Sequence, residues 1–151
     1  MIDAYRKTGL IDGRCLCGDV TIRIDGPYVA GVGACHCGMC QRWNGMMFGV
    51  FTAEAGGVAI TGDVARYAAS DFAERAFCPT CGSHLWMRDT VEPGSDYEFM
   101  PGLFPAARDF PLISEIYIDH APAYAALVGE HRRATRADYE AKNLFVEGET
   151  Q

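Results

Sequence analysis

Cys35-His36-Cys37-Gly38-Met39-Cys40 brings three thiols into six residues. Side chains alternate faces along a strand, so the thiols of Cys35-His36-Cys37 point the same way and suit one shared cation. In a C-x-x-C run the two thiols converge around a tight turn. Working outward, two further clusters hold the remaining cysteines: Cys15-Leu16-Cys17 and Cys78-Pro79-Thr80-Cys81-Gly82. The last has the composition of a zinc knuckle. Proline favours its turn, and Gly82 is free to take positive φ after the second thiol.

Two such pairs brought together make the tetrahedral four-thiolate site of a structural zinc, whereas three thiols leave the fourth position to water or a ligand. Closed sites are structural; open ones are catalytic or ligand-binding. Seven cysteines therefore divide as four plus three. Spacing leaves the pairing open: Cys15, Cys17, Cys35 and Cys37 with Cys40, Cys78 and Cys81 left over is one division. The division that keeps the contiguous triad whole is preferred. An odd number of cysteines argues against a closed disulfide framework. A redox C-x-x-C needs a βαβ context that this chain lacks, and buried cysteines acting as small hydrophobes do not account for the paired spacing. The main bland alternative is that both zincs are structural.

Around the clusters the pattern is mainly β. Leu16, Val20, Ile22 and Ile24 alternate with polar residues about Gly18-Asp19, and Gly26-Pro27 ends that unit. Further strands are expected over 28–35, 46–52, 58–61, 64–69, 74–78, 83–88, 97–100 and 113–118. Pro101 to Pro111 reads as a loop. Short helices are expected only late, over 123–128 after Pro122 and over 134–143, with Leu144 and Phe145 docking afterwards. The length of 151 residues suits a single domain over 1–147, with a disordered tail over 148–151.

Twenty acidic residues against thirteen basic ones give a formal charge of −7, which disfavours nucleic acid and anionic membrane as partners. Met1 to Asp12 lacks the apolar core of a signal peptide, and no run approaches a membrane span. The expected location is cytoplasmic, where cysteines stay reduced.

Gly13-x-Cys15-x-Cys17-Gly18, Cys35-His36-Cys37-x-x-Cys40-x-Arg42-x-x-Gly45, Phe77-Cys78-x-x-Cys81-Gly82-Ser83 and Ile116-Tyr117-Ile118-Asp119-x-Ala121-Pro122 together resemble the glutathione-dependent formaldehyde-activating enzyme family, over about residues 11 to 128. The resemblance extends to centromere protein V, which suggests non-enzymatic uses of the scaffold as well. The resemblance implies antiparallel sheets joined at zinc, a β-tent. It implies that Cys15, Cys17, Cys78 and Cys81 hold a structural zinc, and that Cys35, Cys37 and Cys40 hold a catalytic one. The implied activity is that of a carbon–sulfur lyase adding a thiol such as glutathione to formaldehyde or a related aldehyde. A thiol-binding carrier and a zinc-built interaction module are the alternatives. The chain departs from the family at Asn44, Glu115 and Ala123-Tyr124.

Among other residues, alternation points His36 away from the triad, toward packing or a hydrogen bond. His84 stands close enough to the knuckle to support the four-cysteine site. His120 and His131 are expected at the surface. Arg42 can meet a carboxylate, either of a thiol ligand or of the protein. Trp43, Met46, Met47 and Phe48 read as core or pocket wall, and Gly56-Gly57 as a turn.

Overall fold

Thr21–Val29 alternates buried Ile22 and Ile24 with exposed Thr21, Arg23 and Asp25, the period-two pattern of a strand with one covered face. A computed structural model describes residues 2–144. In chain order its strands are β1 (Arg6–Arg14), β2 (Thr21–Val29), β3 (Val32–Cys35), β4 (Phe48–Ala53), β5 (Val58–Thr61), β6 (Ala65–Ala68), β7 (Ala73–Phe77), β8 (His84–Asp89), β9 (Tyr97–Phe99), β10 (Leu112–Ile116) and β11 (Arg132–Ala134). Its α-helices are α1 (Gly38–Asn44) and α2 (Arg136–Glu140). The chain is mainly β, as the sequence predicts, and its described residues form two units, those up to Gly31 with Val50–Phe110 and Val32–Gly49 with those from Pro111 onward.

The first unit is antiparallel. β1 pairs with β2 from Arg6↔Val29 to Arg14↔Thr21, making a hairpin whose connection carries Cys15 and Cys17. β5 takes the other edge of β2 over Thr21 to Ile24. Past Tyr28↔Ala53, β4 continues the ladder to β9, then β8, β7 and β6. The inward side chains gather around Phe51, Trp86, Phe99 and Phe104, with Ile22, Ile24 and Leu85. Phe104 meets Phe51 edge-on at 5.1 Å and Phe99 at 5.4 Å. Burying each such side chain contributes about 1.5–3 kcal/mol. Cys15 and Cys78 belong to this core.

The second unit is parallel. β3 pairs with β10 from Val32↔Leu112 to Cys35↔Ile116, and β10 pairs with β11. Parallel neighbours need long crossovers. Residues 117–131 supply one, with 3₁₀ turns at Ile118–His120 and Ala123–Ala125.

Several boundaries differ from the sequence reading. Gly26-Pro27 does not end β2, which runs on to Val29. β5 has finished at Ile24↔Val58, so proline's missing N–H is not wanted by a second ladder there. The expected 28–35 strand breaks at Ala30-Gly31. The expected 123–128 helix is one 3₁₀ turn, and the 134–143 helix contracts to Arg136–Glu140. The Pro101–Pro111 loop contains 3₁₀ turns at Pro101–Leu103 and Pro105–Asp109. Leu144 does not dock: it is 72% exposed. The docking of Phe145 and the tail over 148–151 lie outside the described residues. Among the described residues, no helix is long and apolar enough to cross a membrane.

Candidate metal centres

The β1–β2 connection curls so that Cys15 N–H donates to Val20 O at 3.0 Å and Gly18 N–H to Cys15 O at 3.2 Å. The β7–β8 connection turns as a knuckle: Gly82 N–H donates to Cys78 O at 2.8 Å, and Gly82 takes φ +75°. That is the conformation only glycine adopts at no steric cost. Leu16 N–H donates to Ser83 Oγ across the two loops at 3.0 Å. The sulfurs of Cys15, Cys17, Cys78 and Cys81 all lie within 4.8 Å of one another. Cys15 Sγ is 3.5 Å from Cys17 Sγ, which is 3.8 Å from Cys78 Sγ. Four thiolates at the zinc–sulfur distance of about 2.3 Å stand roughly 3.8 Å apart at tetrahedral corners, so the cluster fits such an ion.

The triad is built differently. Cys35 ends β3, and Cys37 is the N-cap of α1, its Sγ accepting from Cys40 N–H at 3.4 Å. Thiols of Cys35, Cys37 and Cys40 also lie within 4.8 Å of one another. Among the described residues no fourth His, Cys, Asp or Glu joins them at that distance. The seven thiols therefore separate as Cys15/Cys17/Cys78/Cys81 and Cys35/Cys37/Cys40, and the division that splits the triad is not the one observed.

The thiols of each cluster compete for charge. Hydrogen bonds from Cys35 and Cys40 pull Cys37 down to about 3, while its hydrogen bonds to Cys37 and Cys40, with burial, push Cys35 well up. In the other cluster, Ser83 brings Cys81 down to about 5. Without a cation each set shares its negative charge unevenly. A divalent ion that binds thiolates is the group that lets all members ionise together.

Beside the triad lies a buried polar network. Glu115 is 1% exposed and His36 is fully buried. His36 Nε2 is 2.7 Å from Glu115 Oε1. The other carboxylate oxygen binds His131 Nε2, and Arg133 Nε donates to it at 3.1 Å. Burial alone would push Glu115 up, but the hydrogen bonds from His131 and His36 outweigh it and hold the carboxyl below its ordinary value. His36 thus takes the hydrogen-bonded role expected of it. His131 does not sit at the surface: its side chain is 1% exposed, because the carboxylate recruits it. His120 is half-exposed and lends its carbonyl to Gln41 Nε2 at 3.1 Å. His84 opens β8 half-buried.

Tyr117 is the residue the sequence reading did not single out. It follows β10 in a left-handed conformation, φ 56° and ψ 41°, a strain of order 1–3 kcal/mol for a bulky residue. It is buried, and its hydroxyl donates to Glu140 at 3.1 Å. Burial, Glu140 and then the Cys37 and Cys35 charges raise its phenol above the ordinary value. Only its place in the Ile116–Asp119 motif signalled it. Arg42 is exposed and makes no ion pair to a carboxylate among the described residues. A spacing of two on α1 turns it away from Cys40. Phe48 is buried, whereas Met46 is half-exposed, and Gly56-Gly57 lies in a 3₁₀ turn.

The paired loops and the separate triad form two cysteine clusters that could each hold a metal ion. The chain matches the glutathione-dependent formaldehyde-activating enzyme family over residues 10–120 and belongs to it. It is 30% identical over 114 residues to an uncharacterized lyase of Schizosaccharomyces pombe, covering 74% of this chain and 80% of that protein. Its fold is similar to the crystal structure of a Rhodobacter sphaeroides protein, with a TM-score of 0.50 and 23% identity, covering 68% of this chain and 99% of the other.

Proposed function

We propose that this chain is a zinc-dependent carbon–sulfur lyase-type enzyme. It joins a small thiol such as glutathione to formaldehyde or a related aldehyde, giving an S-hydroxymethyl adduct, and catalyses the reverse. The observation that carries the reading is the triad: three clustered thiols with no fourth protein ligand beside them among the described residues. The family's name suggests the substrate class, and the lyase naming of the yeast relative supports the reaction class.

In this reading Cys35, Cys37 and Cys40 hold the catalytic zinc, and Cys15, Cys17, Cys78 and Cys81 hold the structural one. When bound at the triad, zinc supplies a Lewis acid that favours the thiolate form of an incoming thiol. The chain's own residues prepare the place. β3 ends on Cys35 and α1 starts from Cys37, and the N-cap bond from Cys40 N–H to Cys37 Sγ favours that thiolate before any ligand arrives. The bond formed is S–C, between the thiol sulfur and the aldehyde carbon. The thiol proton ends on the new hydroxyl, so the addition balances without an oxidant or reductant. A cytosolic setting, where both glutathione and the cysteines stay reduced, fits this chemistry.

The test is exchange between glutathione and S-hydroxymethylglutathione, followed by NMR with zinc-loaded protein. Wild type is expected to accelerate exchange over buffer, and Cys40→Ala to abolish the acceleration while keeping one zinc. Two bound zincs with no acceleration would overturn the enzymatic reading and leave a carrier or an interaction module.

A further inference from the structure

His36 sits between two of the triad's thiols and is held at three points. Its N–H donates to Ile116 O at 3.1 Å, its carbonyl accepts from Gln41 Nε2 at 2.6 Å, and its ring meets Glu115 Oε1 at 2.7 Å. The carboxylate only accepts, so the proton of that bond is on Nε2. Nδ1 is buried with no hydrogen-bond partner. His36 joins Cys35, the end of β3, to Cys37, the N-cap of α1. Fixing the ring therefore fixes the peptide that aims both thiols. Glu115 is in turn fixed by register, as it stands opposite Ala34 on the neighbouring strand. Its second oxygen is gripped by His131 and Arg133 from the far side. A carboxylate this deeply buried carries a desolvation cost of several kcal/mol unless fully paired, and here both oxygens are paired.

We infer that Glu115 is a positioning residue for the triad: with His131 and Arg133 behind it, it clamps His36 so that Cys35 and Cys37 are preset for a metal ion. Glu115 is not one of the clustered ligand atoms and reaches the triad through His36. The inference rests on the reading of the triad as a metal site. Groups that orient a ligand from behind typically change metal affinity 10–100-fold when removed.

The experiment is zinc removal from the two-zinc protein by a chromophoric chelator, which reads triad affinity against the four-cysteine site in the same molecule. Glu115→Gln keeps the shape but loses the charge, and it is expected to weaken zinc at the triad by about tenfold or more, leaving the other zinc unchanged. Arg133→Met is expected to act in the same direction less strongly, with Arg133→Lys restoring part of the loss. These two variants decide the matter if Glu115→Gln does not fold. Folded variants that hold both zincs as tightly as wild type would overturn the inference. A wild-type chain that binds a single zinc would instead overturn the metal reading of the triad, and the clamp with it.

Discussion

Glu98 stands half-buried on β9, with Thr52 Oγ1 donating to its carboxylate at 3.1 Å. Burial pushes its carboxyl up to about 7. The Thr52 bond opposes the rise and the Asp96 charge adds to it. A carboxyl raised in the folded state contributes stability that is fully present below its unfolded value of 4.5 and is lost as pH rises through about 7. Glu98→Gln should therefore gain stability relative to wild type between about pH 5 and about pH 8.5, read as the difference in urea midpoints at the two pH values. Tyr117 offers a second residue-scale test. Tyr117→Phe keeps the ring but removes the hydroxyl bond to Glu140, which retains Arg136 at 2.9 Å. The expected loss is about 1 kcal/mol in a denaturant titration. A neutral outcome would mean the hydroxyl is well solvated. At this scale, the cysteines were legible because their partners are two or three residues away. The clamp was not, because Glu115 and His36 are 79 residues apart and Glu115 and His131 are 16 apart. His131 reads as a surface histidine until β11 is seen beside β10.

α1 shows what an element needs beyond periodicity. It has seven residues, too short for an apolar stripe to declare it. Cys37 starts it as N-cap and Gly45 ends it at φ 76°, donating to Gln41 O. Nothing lies within 4 Å of a Cβ built at Gly45, so Gly45→Ala tests backbone strain alone. It is expected to cost about 1–2 kcal/mol by thermal melting. Gly56→Ala, also in open space but without positive φ, should be near neutral; equal effects would contradict the strain assignment. β1 was missed for a related reason. Its burial alternates only at its end, at Ile11 and Gly13, while Arg6 to Gly9 is essentially uncovered. Ladder pairing with β2, which no local pattern encodes, makes it a strand. β5, by contrast, was legible to the residue because glycines bracket it on both sides.

For the molecule as a whole, the two clusters make different demands. Cys15 and Cys78 are part of the aromatic core of the first unit, so a metal bound there would be coupled to folding. Cys81→Ala is expected to lower the melting temperature by about 10 °C, the shift that roughly 3 kcal/mol makes in a chain of this size. Cys40→Ala should remove one metal with a far smaller shift; similar shifts would make both sites structural. The mainly β class and the four-plus-three division were legible from spacing and alternation. The parallel β3–β10–β11 arrangement was not, since it depends on strands nearly eighty residues apart in sequence meeting in register. The most direct measurement is the visible spectrum of the cobalt-substituted protein as glutathione is added. Bands of a three-thiolate site should shift toward a four-thiolate pattern in wild type and stay unchanged in Cys40→Ala. Wild-type bands that ignore glutathione would show that the triad admits no fourth thiol, contradicting the central claim.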